Sequence, residues 1–238
     1  MGVTIFTLDE MRPSNLVASC SFGKDSLAMC LLLIERGFDL KEVVYYNTGM
    51  EFKAIYAERD RWVPYFEEHG VRFTELQPDR PFMHDMFIKP VVERGTGITH
   101  YGYGWCGGAC RWGTTFKNAA IARHKRGLGD VTECVGIAAD ENRPLREGVF
   151  YPLVEFGMAE ADCLQYCYER GATWDEGGIR LYDVLDRVSC WCCRNKNEAE
   201  LRAIHDKLPE YWGLLCGMED RLGTMKAKSL RRLVGECQ

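Results

Sequence analysis

The chain has 238 residues, 46% of them apolar and 27% charged, with 12 cysteines and a net charge of −5. That length allows one α/β domain with an appendage, or two small domains. The charge argues against a strongly basic surface for coating nucleic acid, and no run approaches the ~20 apolar residues that a membrane helix needs. Residues 15–20 (NLVASC) read as a buried strand, and 25–36 as an apolar helix closed by Gly37. A second strand follows at 42–46 (EVVYY), then a helix over 52–69 stopped by Gly70, then a third strand over 71–76. This β-α-β-α-β order predicts a parallel sheet. From 77 to 113 prolines, glycines and interleaved aromatics (Tyr101, Tyr103, Trp105, Trp112) break regular structure. A helix over 114–126, a fourth strand over 130–137 and a loop over 138–146 come next. Helices are expected over 159–170 and, in the tail, over 197–207, 211–218 and 227–233. The reading is an α/β, Rossmann-like domain over 1–158 with a helical, cysteine-containing extension over 159–238. No basic segment followed by a long apolar stretch opens the chain, so no secretion signal is expected and a cytoplasmic location is.

The most informative segment is SFGKDS, Ser21 to Ser26, which joins the first strand to the first helix. A glycine there permits a tight turn, and the free amides and dipole of a helix start favour an anion. Lys24 adds a charge; Ser21 and Ser26 add hydroxyls. In an open parallel sheet, ligands bind beyond the carboxyl ends of the strands. Two further loops are expected at those ends: NTGMEF (47–52), offering Thr48, Gly49 and Glu51, and GIAADENRPLR (136–146). In the latter, Arg143 and Arg146 can neutralise phosphate or sulfate bidentately. Asp140 and Glu141 can hold Mg²⁺ or ribose hydroxyls.

SFGKDS resembles the SGGKDS "PP-loop" of the adenine-nucleotide α-hydrolase-like superfamily, with Phe22 in place of the first glycine. It is not the longer loop of P-loop NTPases. NTGMEF resembles the D-T-G-x-x-F-x-E-T segment of the phosphoadenosine phosphosulfate (PAPS) reductase family in Thr48, Gly49 and Phe52. Gly136, Glu141 and Arg146 fall in register with that family's G-x-R-x-x-E/Q-S-x-x-R segment. The resemblance implies that Ser21, Phe22, Gly23, Lys24, Asp25, Ser26, Thr48, Gly49, Glu51, Asp140 and Glu141 bind ATP, PAPS or adenylyl sulfate. It implies catalytic roles for Lys24, Asp25, Arg143 and Arg146. The family's nucleophilic cysteine sits in a terminal E-C-G-L-H, of which this chain keeps Glu236 and Cys237.

Cys106 and Cys110 (WCGGAC) pair at short spacing, as do Cys190 and Cys193 within SCWCC, where Cys192 lies between them. Two such pairs can give four thiolates to a tetrahedral zinc or a [4Fe–4S] cluster. Spacing does not choose between these; the resemblance to cluster-bearing adenylyl-sulfate reductases leans to iron–sulfur. Cys163 and Cys167, four apart on a helix, and Cys20 and Cys30 read as core. Lys226, Lys228, Arg231 and Arg232 form a basic segment, read as a solvated helix face.

The expected activity is that of an enzyme doing sulfur-transfer or sulfonucleotide-reduction chemistry on an adenine nucleotide, with Mg²⁺ assistance and a thiol reductant or sulfur donor as partner. Two alternatives stay open: adenylating thiolation of a nucleic acid, which the net charge does not favour, and a non-catalytic nucleotide-binding protein with a structural zinc. A homo-oligomer is compatible with either.

Overall fold

A computed structural model describes residues 13–236. Its centre is a five-stranded sheet of β1 (Leu16–Ser19), β2 (Leu40–Tyr46), β3 (Arg72–Leu76), β6 (Thr132–Val135) and β7 (Val149–Phe150). The order is β3-β2-β1-β6-β7 and every pairing is parallel. The fold is thus α/β and Rossmann-like, as the alternating pattern predicts. β7, two residues long, was not foreseen.

The first helix, α1 (Lys24–Glu35), follows β1 directly. Leu27, Ala28, Met29, Cys30, Leu31 and Leu33 are all fully buried on it. A helix apolar on all sides is a core helix, and each buried Leu contributes on the order of 2 kcal/mol through removal from water. α1 packs against α5 (Pro152–Glu155) and α6 (Glu160–Glu169). From α6 the fully buried Cys163 and Cys167 face inward, and the Cys167 thiol donates to the Lys24 carbonyl at 3.4 Å. Both cysteines are core, and burial holds the Cys163 thiol up at about 12.

Contacts gather the chain into two compact units, neither of them contiguous in sequence. The first holds 1–46, 58–76 and 121–173, and so the whole sheet, α1 and α6. α6, which the sequence reading assigns to the C-terminal extension, therefore shares a unit with the five-stranded sheet. The second holds 47–57, 77–120 and 174–238. Within it lie α3 (Phe82–Phe87), a hairpin of β4 (Pro90–Val92) and β5 (Thr99–Tyr101), and a π-helical turn, Arg111–Phe116. The turn leads into α4 (Lys117–Arg126), so the helix expected from 114 begins as a wider coil. The helical tail is α7 (Glu198–Lys207), α8 (Pro209–Leu222) and α9 (Leu230–Val234). Gly102 has φ +73°, and a Cβ there would lie 2.1 Å from the Met86 carbonyl oxygen, so the hairpin can dock on α3 only with glycine at that position. Among the described residues, no helix is long and apolar enough to cross a membrane.

Candidate functional site

The loop joining β1 to α1 lies at the carboxyl end of a central strand. The Ser26 hydroxyl organises it. It accepts from the Ser21 amide at 3.0 Å, lies 3.1 Å from the Ser21 hydroxyl, and donates to the Gly23 carbonyl at 3.2 Å. No side chain caps the N-terminus of α1, so its leading amides can receive an anion. Phe22 explains its own departure from the glycine pattern. Its φ is +57°, the left-handed conformation that favours glycine. The ring is fully buried, edge-on to Tyr45 at 5.2 Å, stacked on Phe66 at 6.3 Å and near Phe73 at 6.0 Å.

Lys24 is buried, and its ammonium lies 2.8 Å from Asp25 and 2.6 Å from Glu160. Burial opposes its charge, but the two carboxylates hold its pKa above the usual lysine value. Asp25 moves up: burial raises it, Lys24 pulls it down, and Glu160 and Glu141 add repulsion. Glu160 escapes sequence reading, being 136 residues from Lys24; its place at the start of a helix reads as ordinary dipole compensation.

The 138–146 loop departs in detail from expectation. Asp140 accepts the Glu160 amide at 2.9 Å and so caps α6. Glu141 accepts the Ala138 amide at 3.2 Å and pairs with Arg143 at 3.3 Å. Arg146 pairs with Glu133 at 3.3 Å, with most of its side chain in solvent. Gly136 matters here, since a Cβ on it would lie 3.0 Å from Asp25 O and Ser26 Cα. The end of β6 thus presses on the Ser21–Ser26 loop, and Asp25 and Glu141 come into one electrostatic neighbourhood.

Thr48, Gly49 and Glu51 fall in the second unit. Asn47, standing where the family has an acid, accepts the Gly49 amide at 2.8 Å and so makes the turn, with Gly49 at φ +77°. Thr48 donates to Glu51 at 2.9 Å. The Cys190 thiol lies 3.6 Å from both Thr48 Oγ1 and Glu51 Oε1. Burial pushes the Glu51 carboxyl up, so Glu51 is engaged with the cysteine segment of its own unit.

All five candidate thiols are in that unit. The Cys190 carbonyl accepts the Cys193 amide at 3.2 Å, and the Cys193 carbonyl accepts the Lys196 amide at 3.1 Å. These turns wrap Cys190, Cys192 and Cys193 together. Asn195 fastens the other pair: its side chain exchanges two 2.9 Å hydrogen bonds with the Gly108 backbone, between Cys106 and Cys110. Lys196 is 3% exposed; burial lowers its pKa, against the pull of Glu200 and of Cys193, Cys190 and Cys192. Its ammonium donates to the Arg187 carbonyl at 3.2 Å and lies 5.1 Å from the centre of the Phe52 ring, while burial pushes the Cys190 and Cys192 thiols up. The geometry is not closed: among the described residues, no three His, Cys, Asp or Glu side chains converge closely enough to hold a metal ion. The expected set of Cys106, Cys110, Cys190 and Cys193 is brought into one unit without being gathered round a point. Cys237, the candidate nucleophile, lies outside the described residues.

No curated protein matches the chain. One similar solved structure is the U34-tRNA thiolase NcsA from Methanococcus maripaludis with its [4Fe-4S] cluster. The likeness has 14% identity and a TM-score of 0.49, over 98% of this chain and 84% of that one. The family model of the phosphoadenosine phosphosulfate reductase domain matches residues 15–84, which span β1, the SFGKDS loop, α1, β2, NTGMEF, α2 (Lys53–Glu68) and β3. Over that segment the chain carries the signature of the PAPS reductase domain that its motifs suggest.

Proposed function

We propose that this protein binds an adenine nucleotide, ATP or a sulfonucleotide, on the Ser21–Ser26 loop and uses it in sulfur-transfer chemistry. One observation carries the reading. The loop pairs two hydroxyls with uncapped helix amides at the end of a central parallel strand, in a segment matching the PAPS reductase domain. Gly23 lets the nucleotide phosphates approach the backbone, and the Ser21 hydroxyl, held 3.1 Å from Ser26 Oγ, donates to them. Lys24 supplies the positive charge and Asp25, with Glu141, the negative. Asp25 and Glu160 hold the Lys24 ammonium between them and Glu141 adds its charge to that of Asp25, so a polyphosphate needs a cation there. Mg²⁺ carried in with the nucleotide neutralises it, with Asp25 and Glu141 as the available oxygen ligands. Asp140 caps α6 through Oδ1 and keeps its other oxygen for the cation or the ribose hydroxyls. Arg143 and Arg146, both largely in solvent, are free to swing toward departing oxygens. The thiols of the second unit hold the sulfur-handling centre. A [4Fe–4S] cluster on Cys106, Cys110, Cys190 and Cys193 is the occupant the family resemblance favours, with zinc as the competing one.

The test is to incubate the protein with ATP, PAPS and adenylyl sulfate separately. Pyrophosphate release from ATP supports adenylating thiolation, and sulfite release from either sulfonucleotide supports reduction. Calorimetry showing no binding of any of the three removes both. Iron and sulfide content of protein purified without air decides the metal: about four irons per chain support the cluster, and stoichiometric zinc replaces it with a structural ion.

A further inference from the structure

The ammonium that an anion on the Ser21–Ser26 loop needs is already engaged. Lys24 Nζ lies 2.8 Å from Asp25 Oδ1 and 2.6 Å from Glu160 Oε2. One positive charge held by two carboxylates is a net negative cluster, so an incoming polyphosphate first meets repulsion. The two carboxylates differ in setting. The Asp25 side chain is 26% exposed and that of Glu160 is 48% exposed, against 8% for Lys24. Water can therefore solvate Glu160 when it lets go of the ammonium, while Asp25, next to Lys24 in the chain, stays with it.

The backbones at both ends of this contact are fixed. The Glu160 amide donates to Asp140 at 2.9 Å, the Ala159 amide donates to Asp162 at 2.9 Å, and the Ala139 amide donates to the Met158 carbonyl at 2.8 Å. These bonds fasten the first turn of α6 to the 138–146 loop. Lys24 opens α1, and its carbonyl accepts the Cys167 thiol of α6 at 3.4 Å. α1 and α6 pack against each other, so the Lys24–Glu160 contact breaks by rotation of side chains and not by separation of the helices.

We infer that Glu160 is a positioning residue for the nucleotide site: it withholds the Lys24 ammonium from the empty loop and gives it up to a polyphosphate. The inference rests on the nucleotide reading above and adds to it the contact that breaks on binding. A phosphate oxygen replaces the Glu160 oxygen on the same ammonium, so Lys24 keeps its hydrogen bonds and Glu160 turns to water. An ion pair with a half-exposed partner is worth little, which puts the exchange within reach of phosphate binding. A purely structural role has the opposite sign, since loosening Lys24 would then disorder the loop and weaken binding.

The experiment measures the affinity of the full-length protein for ATP and for inorganic tripolyphosphate by calorimetry. In the absence of either, it also measures the rate at which acetic anhydride labels Lys24, read by mass spectrometry. Glu160→Gln removes the charge, keeps the size and leaves the residue 160 amide on Asp140. Expected is about fivefold tighter binding of both ligands and about threefold faster labelling of Lys24. Lys24→Met should weaken both ligands, and adding Glu160→Gln to it should recover no more than about twofold, because the gain needs the ammonium. Unchanged or weaker binding of both ligands by Glu160→Gln overturns the inference, as does an unchanged labelling rate. A gain of the same size in the Lys24→Met background also overturns it, being simple relief of repulsion. ATP binding that ignores the Glu160 charge leaves the nucleotide reading standing and sinks this one. Tripolyphosphate binding that tightens in the variant, with no binding of ATP, sinks the nucleotide reading and leaves the Glu160 contact standing. Binding of neither ligand removes both.

Discussion

Phe22 shows what one residue can carry against its local preference. A non-glycine side chain in the left-handed region costs roughly 1–2 kcal/mol, and here it sits in the turn between β1 and α1. The cost is offset because the ring fills the space between Tyr45, Phe66 and Phe73, where removing a phenylalanine costs about 3–5 kcal/mol. The two terms separate by mutation. Phe22→Ala loses the packing and keeps the strain; Phe22→Gly loses the packing and relieves it. Glycine is ordinarily the more destabilising residue of the two. We expect the reverse here, with the alanine variant about 1 kcal/mol less stable than the glycine variant and both below the parent. Urea denaturation midpoints check the order, and a glycine variant less stable than alanine would show that the conformation is unstrained. The replaced glycine was visible in the sequence, but the cluster that makes a phenylalanine acceptable was not, because its members come from β2, α2 and β3. Lys24 teaches the same lesson. Its presence in the loop was legible, whereas its hold by Glu160 depends on α6 packing against α1.

At the scale of elements, one carboxylate ties two strands and a helix. Glu42 on β2 is fully buried. It accepts from Arg72 at 2.7 Å and Thr74 at 2.5 Å, both on β3, and lies 2.9 Å from His124 Nε2 on α4. Burial alone would raise its pKa, but Arg72, Thr74 and His124 outweigh it and hold the carboxyl below the usual glutamate range. A folded pKa below the unfolded value, about 4.3, fixes the sign. The stabilisation is present above about pH 4.3 and is lost as pH falls through the folded pKa. Glu42→Gln should therefore destabilise the protein at pH 7 by about 1–2 kcal/mol, since the buried carboxylate loses its charge-assisted hydrogen bonds while Arg72, mostly in solvent, keeps water as a partner. Below pH 4 the difference from the parent should shrink. Denaturation midpoints at pH 7, 5 and 3.5 measure this; a gap that stays constant with pH would mean that Glu42 acts by packing alone. The strands themselves were legible, since NLVASC and EVVYY are apolar runs bounded by turns. β7 was not, because two residues carry no period. Nor was the π-helical turn after Cys110, because a wider coil needs no special residues and announces itself only in the hydrogen bonds, such as Thr115 N–H to the Cys110 carbonyl at 3.1 Å.

The two units interleave along the chain, which sets how the whole molecule can be cut. A boundary after residue 158 looks natural in the sequence, because a helical run follows. In the structure, that cut removes α6 from α1 and leaves Leu27, Met29 and Leu31 on a helix stripped of one packing partner. It also removes the Glu160 carboxylate from Lys24 and the Asp140 cap from its helix. In the second unit, the segments 47–57 and 77–120 lose their partner 174–238. Phe52 loses Tyr211, at 4.9 Å, and Trp105 loses the Gly223 carbonyl. A fragment that lacks α6 from the first core and all of 174–238 from the second keeps most of the ordering entropy to overcome, about 1–2 kcal/mol per residue for the backbone, without the burial that offsets it. We therefore expect 1–158 to show no cooperative thermal transition, to bind a hydrophobic dye and to lack near-UV circular dichroism, while the full chain melts sharply. A sharp transition with native-like near-UV signal in 1–158 would instead mean that the sheet and α1 suffice for a fold. α6 and Glu160 would then be additions to the Ser21–Ser26 loop rather than part of what builds it.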